Sequence, residues 1–348
     1  MITPRENWLR AVQFGRPEWI PTTAGFSPLT WHEHREALEE IVLRHPVLFP
    51  GHQKGSYDFN APYAPVYREG EYFRDNWGCL WHNVLAGLEG QVVESPLADW
   101  AAFDAYQPPD SLTKSERGTR DWRQIEQNVK RAKDAGQLTW GDGERLFDRL
   151  YFLRGFENLM FDFATDDPHL PRLIQLLTDY ELRLVRRWLG FGVDVVAFHT
   201  DIGHQQALMI SPKQFRRYIK PMFMEIFQTC RKAGALVYLS SDGCLLEIVD
   251  DLIECGVCVH DPQLRANTID GIARAYKGKL CANVDLDRQM FRFCTPDDIW
   301  RQVDEALRQV GSPEGGIMLA GSVWDAGVPL ANIEALCTAL EQCRFHFR

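Results

Sequence analysis

Proton-transferring and cation-binding side chains gather where short apolar runs end in this chain. Val193-Asp-Val-Val-Ala-Phe198 runs out into His199, Asp201 and His204. Leu236-Val-Tyr-Leu239 ends in Ser240, Ser241, Asp242 and Gly243. Gly256-Val-Cys-Val259 gives way to His260 and Asp261, and Leu280-Cys-Ala282 to Asn283 and Asp285. The last run, Gly315 to Ser322, leads to Trp324 and Asp325. Carboxyl and imidazole groups at such spacing can run acid–base chemistry or bind a metal. Any one of these residues alone suits a turn or a helix cap. The same residue class at successive run ends points to a shared site, with Asp201, His204 and Asp242 foremost. Cys255-Gly-Val-Cys258 has the C-x-x-C spacing of a zinc or redox pair. However, Cys255 belongs at a helix end, Cys258 lies in an apolar run, and no second pair exists.

The runs need elements that hold their ends together. Apolar runs of four to six residues closed by Gly or Pro signals suit strands buried on both faces. Helix-like stretches separate them, as in Leu245 to Cys255. Strand, helix, strand units imply a parallel sheet, whose chemistry collects at the strand ends. Seven or eight such units predict an α/β chain with a TIM-like (β/α)8 barrel and a single domain over residues 1–348. Residues 27–135, rich in Pro, Gly and aromatics, are expected to contribute an irregular and helical cap over the barrel mouth. Trp77 and Trp81 stand four apart within it and offer a face for a flat ligand, as does Trp324. Thr3-Pro4-Arg5-Glu6, Ser211-Pro212 and Thr295-Pro296-Asp297-Asp298 read as capped helix starts.

The bulk properties narrow the function classes. The chain has 348 residues, a formal net charge of −10 and no basic cluster, which argues against a nucleic-acid surface. No apolar run approaches the roughly 20 residues of a membrane span. The first residues do not read as an export signal, and the nine cysteines are scattered, so a reducing cytoplasm with free thiols is expected. Aromatic-rich surface helices are compatible with a homodimer. No phosphate-binding glycine loop is present.

Several stretches, in order, resemble the uroporphyrinogen decarboxylase superfamily, which includes corrinoid-dependent methyltransferases. They are Thr3-Pro4-Arg5-Glu6 with Arg16-Pro-Glu-Trp-Ile-Pro21, Asp201-Ile-Gly203 with Ile210-Ser-Pro212, Ser241-Asp-Gly243, Asp261-Pro-Gln263, Asn283-Val-Asp285 and Pro329-Leu-Ala-Asn-Ile333. The resemblance implies a TIM-like barrel with its site at the strand C-termini. The true decarboxylase grips porphyrinogen acetate arms with two arginines, but the matching positions here, Thr22 to Phe26, hold none. The thiol-methylating branch binds zinc through H-x-C and a later Cys. The matching positions here are Ser240, Asp242 and Ser322, of which Asp242 alone is a metal-ligand type.

The resemblance therefore implies a methyltransferase that moves a methyl group from a small methylated donor, such as an O-methyl aromatic, to the corrinoid of a separate protein. No D-x-H-x-x-G corrinoid signature occurs in this chain, so the cobalamin comes on that partner. In this reading Asp201 or His204 supplies a proton to the leaving group, with Asp242 alongside. Asn283 and Asp285 orient substrate, and Trp77, Trp81 and Trp324 pack against it. If zinc takes part, its ligands come from His199, Asp201, His204 and Asp242, with Cys258 and His260 in reserve. Two alternatives are a decarboxylase or other lyase acting on a small acid, and a ligand-binding barrel without catalysis.

Overall fold

The computed structural model describes residues 2–348. Ten strands occur among them: β1 Thr22–Phe26, β2 Tyr72–Arg74, β3 Leu80–His82, β4 Gln91–Glu94, β5 Trp140–Arg145, β6 Val195–His199, β7 Leu236–Ser240, β8 Val259–His260, β9 Cys281–Asp285 and β10 Ile317–Val323. Seven form one parallel sheet in the order β1-β10-β9-β8-β7-β6-β5, which curls into a barrel of the TIM type with helices outside. The eighth strand of a closed (β/α)8 barrel is not in this ladder, and β1 and β5 stand at its ends. β2, β3 and β4 form a separate antiparallel sheet.

Strand register explains how the barrel sorts its side chains. Val195 pairs with Leu236, Ala197 with Tyr238 and His199 with Ser240. Alternate residues share a face, so these pairs point into the barrel while Val196, Phe198, Val237 and Leu239 point at the helices. Phe198 packs on Phe227 of the helix Lys220–Lys232, with ring centroids 4.9 Å apart. The inward column of each strand is apolar below and polar above. Val195 leads to His199, Leu236 to Ser240, Val259 to Asp261, Cys281 to Asn283 and Asp285, and Met318 to Ser322.

The bottom of the barrel is closed by the first helix, Pro4–Val12. Thr3 caps it by accepting the Glu6 N–H at 3.1 Å, and Pro4 fits the first turn. Its Ala11 and Val12 pack with Val195, Leu236, Val259, Cys281 and Met318. Trp8 meets Trp140 edge to face at 5.5 Å, and Arg5 pairs with Asp194 at 2.6 Å. The capped helix starts read at Ser211 and Thr295 are both formed, each as a capping box.

The cap contains regular structure that the sequence did not reveal. Its strands are three or four residues long, too short for alternation to register. It is clamped to the barrel by Arg149, a fully buried guanidinium that pairs with Asp75 at 3.3 Å, Glu116 at 2.7 Å and Glu144 at 3.2 Å. The same guanidinium lies 4.7 Å from the centre of the Trp77 ring. Trp77 donates to Glu144 at 3.2 Å and Trp81 to Asp75 at 2.9 Å. Both indoles are buried, 1% and 2% exposed, which corrects the expectation of a ligand-stacking face at these residues. Their spacing reflects packing of the cap onto the barrel. Among the described residues no helix is long and apolar enough to cross a membrane.

Candidate active site

A cleft of about 560 Å³ opens at the C-terminal ends of the strands. It is lined by Leu88 and Glu89 of the cap, Arg145, Asp148, His199, Thr200, Asp201, Ser240, Asp242, Arg288 and Trp324. Two tight loop crossings build its floor. Asp201-Ile202-Gly203 follows β6 and Ser241-Asp242-Gly243 follows β7. A side chain on Gly243 would sit 2.2 Å from the Gly203 carbonyl carbon, and Gly243 has φ +90°. Only glycine permits that backbone at that approach, and this accounts for both glycines of the two motifs.

The carboxyls are strung together by backbone donors. The Asp201 N–H donates to Asp148 Oδ1 at 2.6 Å, and the Asp242 N–H donates to Asp201 Oδ1 at 2.9 Å. Arg288 then joins Asp242 at 2.9 Å and Asp285 at 3.3 Å. Below this string, Asp261 accepts from the Ser240 hydroxyl at 2.7 Å and the Ser241 N–H at 3.1 Å. Asn283 donates to the Tyr238 hydroxyl at 2.8 Å, which faces Asp261 at 3.4 Å.

Crowding of carboxyls in a partly dry site penalises their charged forms. Burial, reinforced by the Asp201 charge, pushes Asp148 up to about 7. Burial and the neighbouring Asp242 raise Asp201 as well. Asp261, surrounded by barrel wall, is pushed by burial to about 8. Asp285 reaches about 6, again through burial, with Arg288 opposing. Such a site can hold protons near neutral pH and release them to a reacting group.

The expected residues divide as follows. His199, Asp201, Asp242 and Trp324 line the cleft together. Asn283 and Asp285 point into the barrel from β9, with Asp285 reached through Arg288. His204 is a correction: it is exposed on a short loop past Gly203, does not line the cleft, and its Nδ1 only receives the Gln206 N–H at 3.4 Å. Cys258 and His260 are corrections too. The Cys258 thiol lies low in the barrel wall against the Val237 N–H, and burial raises its pKa. His260 is fully buried with Nδ1 2.8 Å from the Tyr276 hydroxyl, and burial drops it to about 3. Three residues that sequence reasoning passed over also belong here, Asp148, Arg145 and Arg288, while Ser240, noted there only as a ligand position, serves as a hydroxyl donor to Asp261. Arg145 is the last residue of β5, so it too sits at a strand end.

The six residues expected as a zinc ligand pool do not converge. Among the described residues no group of three or more His, Cys, Asp or Glu side chains is disposed to hold a metal ion. Ser240, Asp242 and Ser322, at the positions of the thiol-methylating ligands, offer one carboxylate and two hydroxyls. This donor set does not fit zinc.

No curated protein matches the chain in sequence. Among solved structures, a methyltransferase from Methanosarcina mazei superimposes with a TM-score of 0.62 at 16% identity, covering 98% of this chain and 99% of that one. An L-ribulose 3-epimerase gives 0.42 at 14% identity, over 66% of this chain and 83% of that one. A D-psicose 3-epimerase from Clostridium cellulolyticum H10 gives 0.41 at 12% identity, over 64% and 83%. The first of these likenesses shows the shared barrel fold over the full length. The sequence pattern of uroporphyrinogen decarboxylase matches residues 88–343, which spans β5 to β10 and every carboxyl of the cleft. The chain belongs to the uroporphyrinogen decarboxylase family.

Proposed function

We propose that the protein is a methyltransferase that takes a methyl group from a small methylated donor and passes it to the corrinoid of a separate protein. The observation that carries this reading is the Asp201 carboxyl. It lines the cleft at the mouth of the barrel and is biased toward its protonated form by burial and by Asp242. Demethylation of an ether or amine leaves an oxygen or nitrogen that needs a proton as the bond breaks. A reduced corrinoid supplies the nucleophile that accepts the methyl group. Everything else falls to this chain. Asp201 gives the proton, which burial and Asp242 beside it keep bound until the leaving group claims it. Arg288 holds Asp242 and Asp285 in place, and Trp324 closes the apolar side of the donor. Zinc has no part in this scheme because the residues present do not fit it. Absence of the tetrapyrrole-gripping arginines from Thr22 to Phe26 separates the activity from porphyrinogen decarboxylation.

The test incubates the protein with a panel of methoxylated and N-methylated small molecules and reduced cobalamin as acceptor. Donor-dependent loss of the reduced-corrinoid absorbance, with the demethylated product found by mass spectrometry, is expected. Asp201→Asn should cut the rate by about 10²- to 10⁴-fold while circular dichroism stays unchanged. Turnover of a small acid without corrinoid would transfer the assignment to a carbon–carbon lyase. No transfer from any donor, or wild-type rates in Asp201→Asn, would refute the proposal.

A further inference from the structure

A second cleft, of about 410 Å³, opens beside the first and shares Arg145 and His199 with it. Four arginines line the two together, and three of them are already neutralised. Arg117 pairs with Glu89 and with Glu116, the latter at 2.7 Å. Arg145 pairs with Glu89 at 2.8 Å and Glu116 at 3.0 Å. Arg288 is held by Asp242 and Asp285. Arg120 differs: among the described residues no carboxylate forms an ion pair with it.

Arg120 is also held still. Its backbone N–H donates to the Thr113 carbonyl at 3.0 Å and its Nε to the Lys114 carbonyl at 3.3 Å. The tight turn it closes, Ser115 to Gly118, is pinned by the Asn76 amide, which donates to Ser115 at 2.8 Å and Gly118 at 3.0 Å. The two terminal nitrogens are left without a carboxylate partner at the wall of a cavity. Asp142, on the wall of the same cleft, and Glu181 feel its charge without an ion pair, and burial raises the pKa of both. A guanidinium that meets the Tyr180 hydroxyl but no carboxylate, on a braced backbone, keeps donors for an anion.

We propose that the smaller cleft seats a carboxylate of the substrate on Arg120, so that the substrate class is a small carboxylic acid whose reacting group lies at the other end, toward Asp201 and Asp242. The identity of that reacting group, a methyl ether or methylamine, rests on the methyl-transfer reading. The carboxylate end does not.

Matched probes test this by isothermal titration calorimetry: 3-methoxybenzoate against 3-methoxybenzamide, and methoxyacetate against methoxyacetamide. At least one acid should bind roughly ten- to hundredfold more tightly than its amide. Arg120→Gln should abolish that preference, and Arg120→Lys, which keeps the charge and loses the fork, should keep part of it. The preference in the unaltered protein is read independently of any variant's folding. Acids that bind no better than their amides, or an Arg120→Gln variant with the preference intact, would overturn the proposal. These titrations need neither corrinoid nor turnover. Acid binding that depends on Arg120 without methyl transfer would retain the substrate class and discard the reaction. Methyl transfer from neutral donors, undiminished in Arg120→Gln, would retain the reaction and discard the carboxylate seat.

Discussion

Replacing Asp148 by Asn should stabilise the protein, and only above mildly acidic pH. The Asp148 side chain is buried beside Asp201, and its pKa rises from an ordinary 3.8 to about 7. Between these values the unfolded chain has released the proton that the folded chain still holds. Stability therefore falls as pH rises from about 4 to about 7 and levels off above. Each pKa unit corresponds to about 1.36 kcal/mol. The penalty is then about 1.7 kcal/mol at pH 5 and about 4.3 kcal/mol at pH 8, so about 2.6 kcal/mol separates the two conditions. Asn keeps the Oδ1 acceptor for the Asp201 N–H and carries no charge, so it mimics the protonated carboxyl at every pH. Its Oδ2 contact lies 3.8 Å from Arg145, which retains Glu89 and Glu116. Urea unfolding of both proteins at pH 5 and pH 8 gives the comparison. The Asp148→Asn variant should gain about 2.6 kcal/mol on the wild type between those conditions. An equal difference at both pH values, or a loss at pH 8, would refute the assignment of a neutral carboxyl to this position.

Three further outcomes follow from the packing. Arg149→Met should cost about 3–5 kcal/mol in urea unfolding, because Asp75, Glu144 and Glu116 lose their shared cation in a dry interface. Trp81→Phe should cost about 1–3 kcal/mol through the lost donor to Asp75 and leave ligand affinity unchanged in calorimetry; a changed affinity would return Trp81 to the binding surface. Gly243→Ala should destabilise by on the order of 4 kcal/mol and abolish turnover, since its methyl group would meet the Gly203 backbone; a melting temperature equal to wild type would show that the crossing can relax.

The barrel was legible because buried parallel strands announce themselves as short apolar runs, and Asp201, Asp242 and Asp285 because a polar residue directly after such a run must sit at its end. Asp148 was hidden for the opposite reason. It lies in the helix Phe147–Arg154, which starts almost directly after β5, so no loop marks it. Arg288 was invisible because no apolar run or cap marks the residues after Asp285, although it holds two of the carboxyls that were visible. Trp77 and Trp81 show the limit of spacing as a signal: it gives neighbours on the chain, while burial depends on Arg149 and Glu144, some seventy residues away. His204 and His260 follow runs much as Asp201 and Asp261 do, and only the backbone path turns one outward and buries the other.

The ladder order carries a consequence for how the chain is made. β1 bonds only to β10, and Thr30 reaches the Val323 carbonyl across 293 residues. A ribosome releases β1 long before its partner exists. Its edge, and the helix Pro4–Val12 that closes the barrel floor, must wait for nearly the whole chain to emerge. Such long-range closure slows folding and prolongs exposure of unpaired strand edges. Yield in expression should therefore depend on temperature and on chaperones that shield nascent chains, and cutting the chain before Ile317 should leave β1 without a partner and the product aggregated.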